Sequence, residues 1–209
     1  MARVRHGNDH LLQLGAEAAE MWYAQPEHSG GGALLDEGVH AADLLVWLFG
    51  LPREAVAFTA GATLNLPLED TAIALFSYGD GAIAEIASSN AFVAAGESVQ
   101  IYGSGGSALL SGVDLASRDF SDAPYLKVFS ADGQPARWQP SDTTPFFKSG
   151  KQDFHKQGPL HFLRCLRGEA KPIIPLEEAW KSLAMIEAAY EAARTGKATP
   201  VVQTLEIGD

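Results

Sequence analysis

Hydrophobic residues recur with a helical period near both ends of the chain and with a period of two in the middle. Over residues 33–49 the apolar positions follow helical spacing and Gly50 supplies a stop signal, which predicts a helix. The same spacing predicts two further helices, over residues 157–166 and 176–194. The polar stretch before residue 33 ends in three glycines, and we expect an ordered loop there.

Alternating apolar and polar residues predict a strand over residues 2–6 and a succession of strands between residues 55 and 111. Turn residues divide this second stretch into about five strands with short connections. These turn signals lie at residues 66–67, 78–81, 95–96 and 103–106. Because strands joined by tight turns run antiparallel, the pattern predicts a mainly antiparallel sheet.

The predicted fold class is therefore α+β, an open and mainly antiparallel sheet with helices packed on one face. Weaker alternation predicts further strands at residues 125–130 and 136–139. The chain has 209 residues, of which 46% are hydrophobic, and this length suffices for one large core. We predict a single domain over residues 1–209.

The net charge limits the classes of binding partner, and the cysteine content indicates the redox compartment. The net charge of −11 comes from 26 acidic and 15 basic residues, which disfavours nucleic acid or an acidic membrane as a partner. Cys165 is the one cysteine, so a disulfide framework is excluded and a reducing compartment is favoured. We find no secretory signal and no apolar segment long enough to span a bilayer. A soluble, cytoplasmic protein is expected.

A polar stripe crosses the otherwise apolar helix predicted over residues 33–49. Asp36, His40, Asp43 and Trp47 fall on one helical face by their spacing. Burying a carboxylate and an imidazole without partners is costly, which favours a cleft at this face. A carboxylate beside an imidazole suits general acid/base chemistry. The alternative, that Asp36 only complements the dipole of the first helical turn, stays open.

The segment from Ser29 to Gly50, SGGGALLDEGVHAADLLVWLFG, resembles the signature helix of the glucose-fructose oxidoreductase and inositol dehydrogenase family. Shorter similarities follow at residues 69–71, 81–86, 99–106 and 191–196, so the resemblance covers nearly the whole chain. It implies the C-terminal domain of an NAD- or NADP-dependent sugar or polyol dehydrogenase. It also implies that the Rossmann domain, which carries the catalytic lysine and binds the cofactor, is absent from this chain.

The resemblance implies roles for several residues. Asp36 and His40 would be the catalytic pair, His40 exchanging the proton of a substrate hydroxyl and Asp36 orienting it. Asp43 would be structural. Gly31 and Gly32 are weaker candidates for substrate binding, since free backbone N–H groups before a helix can bind an anion. We expect no cofactor on this chain alone, a polyhydroxylated small substrate, and homo-oligomers formed through the open sheet face.

Two segments imitate functional motifs. Residues 103–108, GSGGSA, satisfy a dinucleotide-binding pattern, but the chain continues as a strand instead of starting a helix, so we predict a hairpin turn. Residues 169–172, EAKP, imitate the family's lysine segment, but they lie between two predicted helices and should be exposed. We predict no metal site, because Asp36, Glu37 and His40 lack further ligands in sequence.

Four other side chains could face the same cleft as His40, although each alone is more typical of a surface or packing position. They are Arg5, His6, Trp22 and His161. A second hypothesis for the whole chain is a binding or oligomerisation module that retains the fold without catalysis. Enzymatic activity would separate the two hypotheses, and we expect none from this polypeptide alone.

Overall fold

A computed structural model describes residues 1–92, 97–111, 125–132 and 151–205. Strands within these residues join into one eight-stranded sheet with the order β7-β6-β5-β1-β4-β3-β2-β8. The strands are β1 (Ala2–Gly7), β2 (Glu54–Ala60), β3 (Thr71–Ser77), β4 (Ile83–Ser89), β5 (Glu97–Gly103), β6 (Gly106–Ser111), β7 (Tyr125–Ser130) and β8 (Thr199–Pro200). The strand predicted over residues 125–130 is confirmed, and residues 136–139 lie outside the described part of the chain.

Strand β1 occupies the middle of the sheet, parallel to β4 and antiparallel to β5. Every other neighbouring pair is antiparallel. The prediction of an open, mainly antiparallel sheet is therefore confirmed. The hairpin predicted at residues 95–96 is wrong, because β1 separates β4 from β5 and their connection cannot pair them directly.

Helices and short helical turns make up the rest of the described structure. They are α1 (His10–Leu14), α2 (Pro26–Ser29), α3 (Ala33–Asp36), α4 (Gly38–Phe49), α5 (Lys151–Leu166) and α6 (Leu176–Thr195), with 3-10 turns at Gly15–Glu20 and Trp22–Ala24. The region predicted as a loop before residue 33 thus contains short helices. The single helix predicted over residues 33–49 is wrong, since the chain makes a turn at Glu37.

The core lies between one face of the sheet and helices α4 and α6. Small residues line the central strands on this face, which lets the two helices approach closely. Larger side chains then fill the remaining space at nearly complete burial, as close packing requires. The small ones include Ala55, Ala57, Ala72, Ala74 and Ala84, and the large ones include Leu34, Leu45, Phe76, Ile86, Met185 and Ile186. Helices on one face of the sheet are confirmed.

The opposite face of the sheet is open to solvent and bears both apolar and charged side chains. Phe58 is 82% exposed and pairs in register with Ile73 on β3. Val56 and Leu75, also paired in register, are exposed beside them. Toward the centre of the sheet, Arg3 and Glu85 form an ion pair at 3.1 Å. We refer to Val56, Phe58, Ile73 and Leu75 as the open-face patch.

The glycine loop before α3 is closed by a carboxylate from another part of the chain. Glu69 accepts hydrogen bonds from the backbone N–H groups of Gly32 and Leu34 at 3.1–3.2 Å. The Tyr190 hydroxyl of α6 donates to Glu69 at 2.6 Å and accepts from the Leu35 N–H. Burial and the bond to Glu69 raise the pKa of Tyr190, so its hydroxyl remains a donor at neutral pH. These bonds fix the start of α3 against both the sheet and α6.

No helix in the described ranges has the length and apolar character that crossing a membrane requires.

We expect Gly32→Ala to destabilise the fold. A Cβ at Gly32 would lie 2.1 Å from the Glu69 carbonyl oxygen and 2.7 Å from its carboxylate, so backbone would have to move. Such overpacking costs about 1–3 kcal/mol, which corresponds to a loss of roughly 2–10 °C in Tm for a chain of this size. Gly105→Ala is the matched control, because a Cβ there meets nothing within 4 Å. Equal Tm values for both variants in thermal unfolding would contradict the packing argument.

Candidate active site

The turn at Glu37 points two neighbouring carboxylates in different directions. Asp36 ends α3 and is exposed, whereas Glu37 is only 4% exposed. Gly38 then starts α4 in close contact with the sheet, since a Cβ there would lie 3.3 Å from Ser88 Oγ on β4. A continuous helix would not give the two side chains these separate environments.

The Glu37 side chain lies below the surface. It contacts His6 on β1 and Asn8, which follows that strand. Its Oε2 lies 2.7 Å from His6 Nδ1, and both side chains are almost fully buried. Its Oε1 accepts a hydrogen bond from the buried Asn8 amide. The Asn8 amide thus satisfies one oxygen of the buried carboxyl group, and the His6 ring approaches the other without an aligned hydrogen bond.

Above this buried group, Asp36 and His40 line a cleft with a volume of about 350 Å³. The His40 ring lies against the His6 ring, with 5.1 Å between centroids and a tilt of 52°. Other lining residues come from α1, the 3-10 turns and the end of β4: Asn8, His10, Leu11, Trp22, Tyr23, Glu37 and Asn90. The cleft is large enough for a small polar molecule and combines a carboxylate, an imidazole and an amide.

The carboxyl group of Asp36 has a perturbed proton affinity. Partial burial at the cleft raises the pKa of Asp36 above its ordinary value, and repulsion from Glu37 raises it further. His40, a hydrogen bond with Asn90 and His6 act in the opposite direction but do not cancel the rise. A raised carboxyl pKa beside an imidazole is the type of environment found at proton-transfer sites.

The other residues of the predicted stripe lie outside the cleft. Asp43 accepts a hydrogen bond from Ser182 of α6 at 3.2 Å, which ties the two core helices together. Trp47 is 79% exposed near the end of α4. The stripe therefore brings Asp36 and His40 to the cleft and leaves Asp43 with a packing contact, as a structural residue would have.

Gly31 and Gly32 are both buried. The Gly32 N–H is already bonded to Glu69, and a Cβ at Gly31 would lie 2.4 Å from the Tyr190 hydroxyl oxygen. These contacts give the two glycines a packing role. Their predicted part in substrate binding stays a prediction, and neither residue is among those lining the cleft.

The remaining candidates divide between three places. His6 lies directly beneath the cleft and Trp22 lines it. Arg5 lies on the open face of the sheet, because its neighbours on β1 face the core. His161 is on α5, where its Nε2 lies 3.4 Å from Cys165 Sγ, and it does not line the cleft.

Sequence reasoning missed several residues of the site, among them Asn8 and Asn90, and it considered Glu37 only as a metal ligand. A glutamate beside Asp36 in an apolar helix was a visible signal for Glu37. Nothing local showed that its partners come from a strand some thirty residues earlier. Asn90, which follows β4, is hydrogen bonded to Asp36, and its buried side-chain oxygen has no hydrogen-bond partner among the residues that the structure describes.

Both motif imitations behave as predicted. Gly103 pairs in register with Gly106, so residues 103–106 form a two-residue hairpin between β5 and β6 and no helix starts there. Lys171 is exposed between α5 and α6. Among the residues that the structure describes, no group of three His, Cys, Asp or Glu side chains is placed to hold a metal ion.

Comparison with known proteins identifies the family. The model of the "oxidoreductase family, C-terminal alpha/beta domain" matches residues 10–202, which is most of the chain. The chain therefore belongs to the Gfo/Idh/MocA family of oxidoreductases, named for glucose-fructose oxidoreductase and inositol dehydrogenase, and corresponds to its C-terminal domain. No curated protein sequence matches it closely enough to count as a relative.

Solved structures with the same fold come from several bacterial proteins. The WlbA dehydrogenase from Bordetella pertussis, crystallised with NADH and UDP-GlcNAcA, is 24% identical with a TM-score of 0.67 over 97% of this chain and 54% of its own. The aldose-aldose oxidoreductase from Caulobacter crescentus, crystallised with glycerol, is 21% identical with a TM-score of 0.67 over 95% and 54%. An NAD-binding protein from Listeria innocua is 20% identical with a TM-score of 0.64 over 97% and 55%. The chain thus spans little more than half the length of these neighbours.

We expect Asp36→Asn to stabilise the protein at neutral pH. Because the Asp36 pKa is raised in the folded state, ionisation above its ordinary value of 3.8 destabilises the fold relative to the unfolded chain. The amide removes that penalty, so Tm should exceed that of the parent between about pH 6 and 8, and the gain should vanish below about pH 4.

Thermal unfolding across this pH range measures the effect, with Asp132→Asn on the exposed turn after β7 as the control. A Tm gain that persisted unchanged at pH 3, or a loss of Tm at pH 7, would show that the Asp36 carboxylate is not destabilised by its surroundings.

Proposed function

We propose that this chain is the substrate-binding and acid/base half of an NAD- or NADP-dependent dehydrogenase that acts on a sugar or another polyol. The observation that carries the proposal is the cleft, where Asp36 and His40 converge above a buried carboxylate–imidazole pair. Membership of the oxidoreductase family supports the same class of reaction. The bound NADH and UDP-GlcNAcA of the WlbA dehydrogenase support a nicotinamide cofactor and a polyhydroxylated substrate.

In the proposed reaction His40 takes the proton from a substrate hydroxyl during oxidation and returns it during reduction. An imidazole suits this step because its ordinary pKa lies near neutral pH. Asp36, on the same side of the cleft, orients the hydroxyl or the imidazole through a hydrogen bond. Asn90 holds the Asp36 carboxylate in place.

The described residues do not fit the dinucleotide itself. The glycine turn between β5 and β6 is a hairpin, whereas pyrophosphate binding needs a glycine turn that opens a helix. The N–H groups at the start of α3 already bind Glu69. The proposal therefore assigns cofactor binding to a Rossmann domain outside this chain and assigns the substrate proton to this chain.

Exposed apolar residues on α5 and just after it support the proposal that a second domain covers this surface. Phe162 is 62% exposed, Leu166 is 68% exposed and Ile173 is 78% exposed. Contiguous apolar surface of this kind is typical of an interaction site. The neighbours in solved structures have nearly twice the length of this chain, which leaves room in them for a second domain to cover such a surface.

A second candidate function is a non-catalytic oligomerisation module, favoured by the open-face patch. Two sheets that stack through this patch would bury Phe58 and its neighbours and leave the Arg3–Glu85 ion pair beside the contact. This association is compatible with the dehydrogenase proposal. Catalysis separates the two functions.

We expect His40→Asn to lower kcat by roughly 10²- to 10⁴-fold in the enzyme assembled with its nucleotide-binding domain, which is the usual contribution of a general acid/base. The assay is polyol-dependent reduction of NAD or NADP. His28→Asn is the control, because His28 is an exposed histidine of α2. Parent-like kcat in His40→Asn would remove the acid/base assignment, and an assembled parent without any polyol oxidation would favour the oligomerisation module.

We expect Phe58→Ser to weaken self-association at least tenfold, since a largely exposed aromatic is the residue type that dominates interface energy. Sedimentation velocity over a range of concentrations measures the association constant. Trp47→Ser is the matched control, because Trp47 has a similar exposure but lies on α4. A parent that stays monomeric at all concentrations, or an oligomer that Phe58→Ser leaves intact, would contradict oligomerisation through the open face.

A further inference from the structure

Stability alone does not explain why the His6–Glu37 pair is buried. The two side chains are 3% and 6% exposed, with 2.7 Å between His6 Nδ1 and Glu37 Oε2. Apolar side chains of similar size often stabilise a core as well as a buried ion pair does, or better. The pair lies beneath the cleft, and its imidazole contacts the ring of His40. Its position suggests a role at the site.

The contacts of Glu37 limit where the His6 ring can lie. Glu37 Oε1 accepts from the Asn8 amide, and Oε2 lies 2.7 Å from His6 Nδ1. This is an ion-pair distance at which the ring is not aligned for an N–H···O hydrogen bond. Because Asn8 holds the other oxygen, the carboxyl group keeps the His6 ring in place through close contact.

We propose that His6 is a positioning residue for His40. Glu37, held by Asn8, lies against the His6 ring, and that ring, whose centroid is 5.1 Å from that of His40, limits the orientations of the His40 imidazole in the cleft. A confined imidazole needs no reordering before it meets a substrate hydroxyl, and pre-organisation of this kind contributes strongly to proton transfer. The role assigned to His40 rests on the proposed function, whereas the positioning itself is a property of this chain.

The test measures how far the His40 ring moves in variants of the chain labelled with ¹³C in its histidines. In His6→Gln no ring supports His40, so the order parameter of the His40 ring carbons should fall by about 0.2 or more, the difference between rigid and flexible groups. In Glu37→Gln the side chain keeps its size beside His6, so the order parameter should fall by less than half as much. His28→Gln, an exposed histidine change, should leave it at the parent value.

An unchanged His40 order parameter in folded His6→Gln would overturn the inference. If His6→Gln does not fold, Glu37→Gln decides, because a His40 ring as ordered as in the parent would show that Glu37 does not act on it through His6. This readout does not involve turnover. A well-ordered His40 whose substitution leaves activity intact would therefore count against the proposed function and leave the positioning role standing.

Discussion

The placement of the candidate site depends on the carboxylate of Glu69. This half-buried side chain satisfies two backbone N–H groups at the start of α3 and accepts a third hydrogen bond from Tyr190 of α6. The glycine loop can approach it closely only because Gly32 has no Cβ. Glu69 thereby joins the entrance of β3, the start of α3 and the last helix at one point, and the position of Asp36 follows from it. These hydrogen bonds stabilise the fold. They thereby offset the cost of burying carboxyl groups at the site.

The turn at Glu37 places two adjacent acidic residues in different environments. Asp36 remains at the cleft with a raised pKa, while Glu37 enters the interior and pairs with His6. His40, in the first turn of α4, lines the cleft and contacts the His6 ring. Asn8 and Asn90 each hold one of the two carboxylates. The site thus has two layers of polar side chains at the break between α3 and α4. Each of the two acidic side chains has a partner on another element.

Local patterns in the sequence were enough to predict most of the fold. Helix α6 ends within one residue of its prediction, because an alanine-rich amphipathic pattern is followed by Gly196 in a left-handed conformation. The hairpins at residues 78–81 and 103–106 follow from glycine-containing turns. The insertion of β1 between β4 and β5 could not be predicted, since parallel pairing across some eighty residues leaves no local signal. The motif pointed to Asp36 and His40, but the helix break depends on contacts between Glu37 and a distant strand, so the contacts of Glu37 with His6 and Asn8 were not predicted.

The central claim is that this domain handles substrate while another domain holds the nicotinamide cofactor. Calorimetric titration with NAD and with NADP tests it most directly, first on this chain and then on the chain joined to its nucleotide-binding domain. The account predicts no binding heat from the chain alone and saturable binding once the second domain is present. Tight binding of either dinucleotide by this chain alone would contradict it, because the glycine turn between β5 and β6 would then have a role that its hairpin geometry argues against.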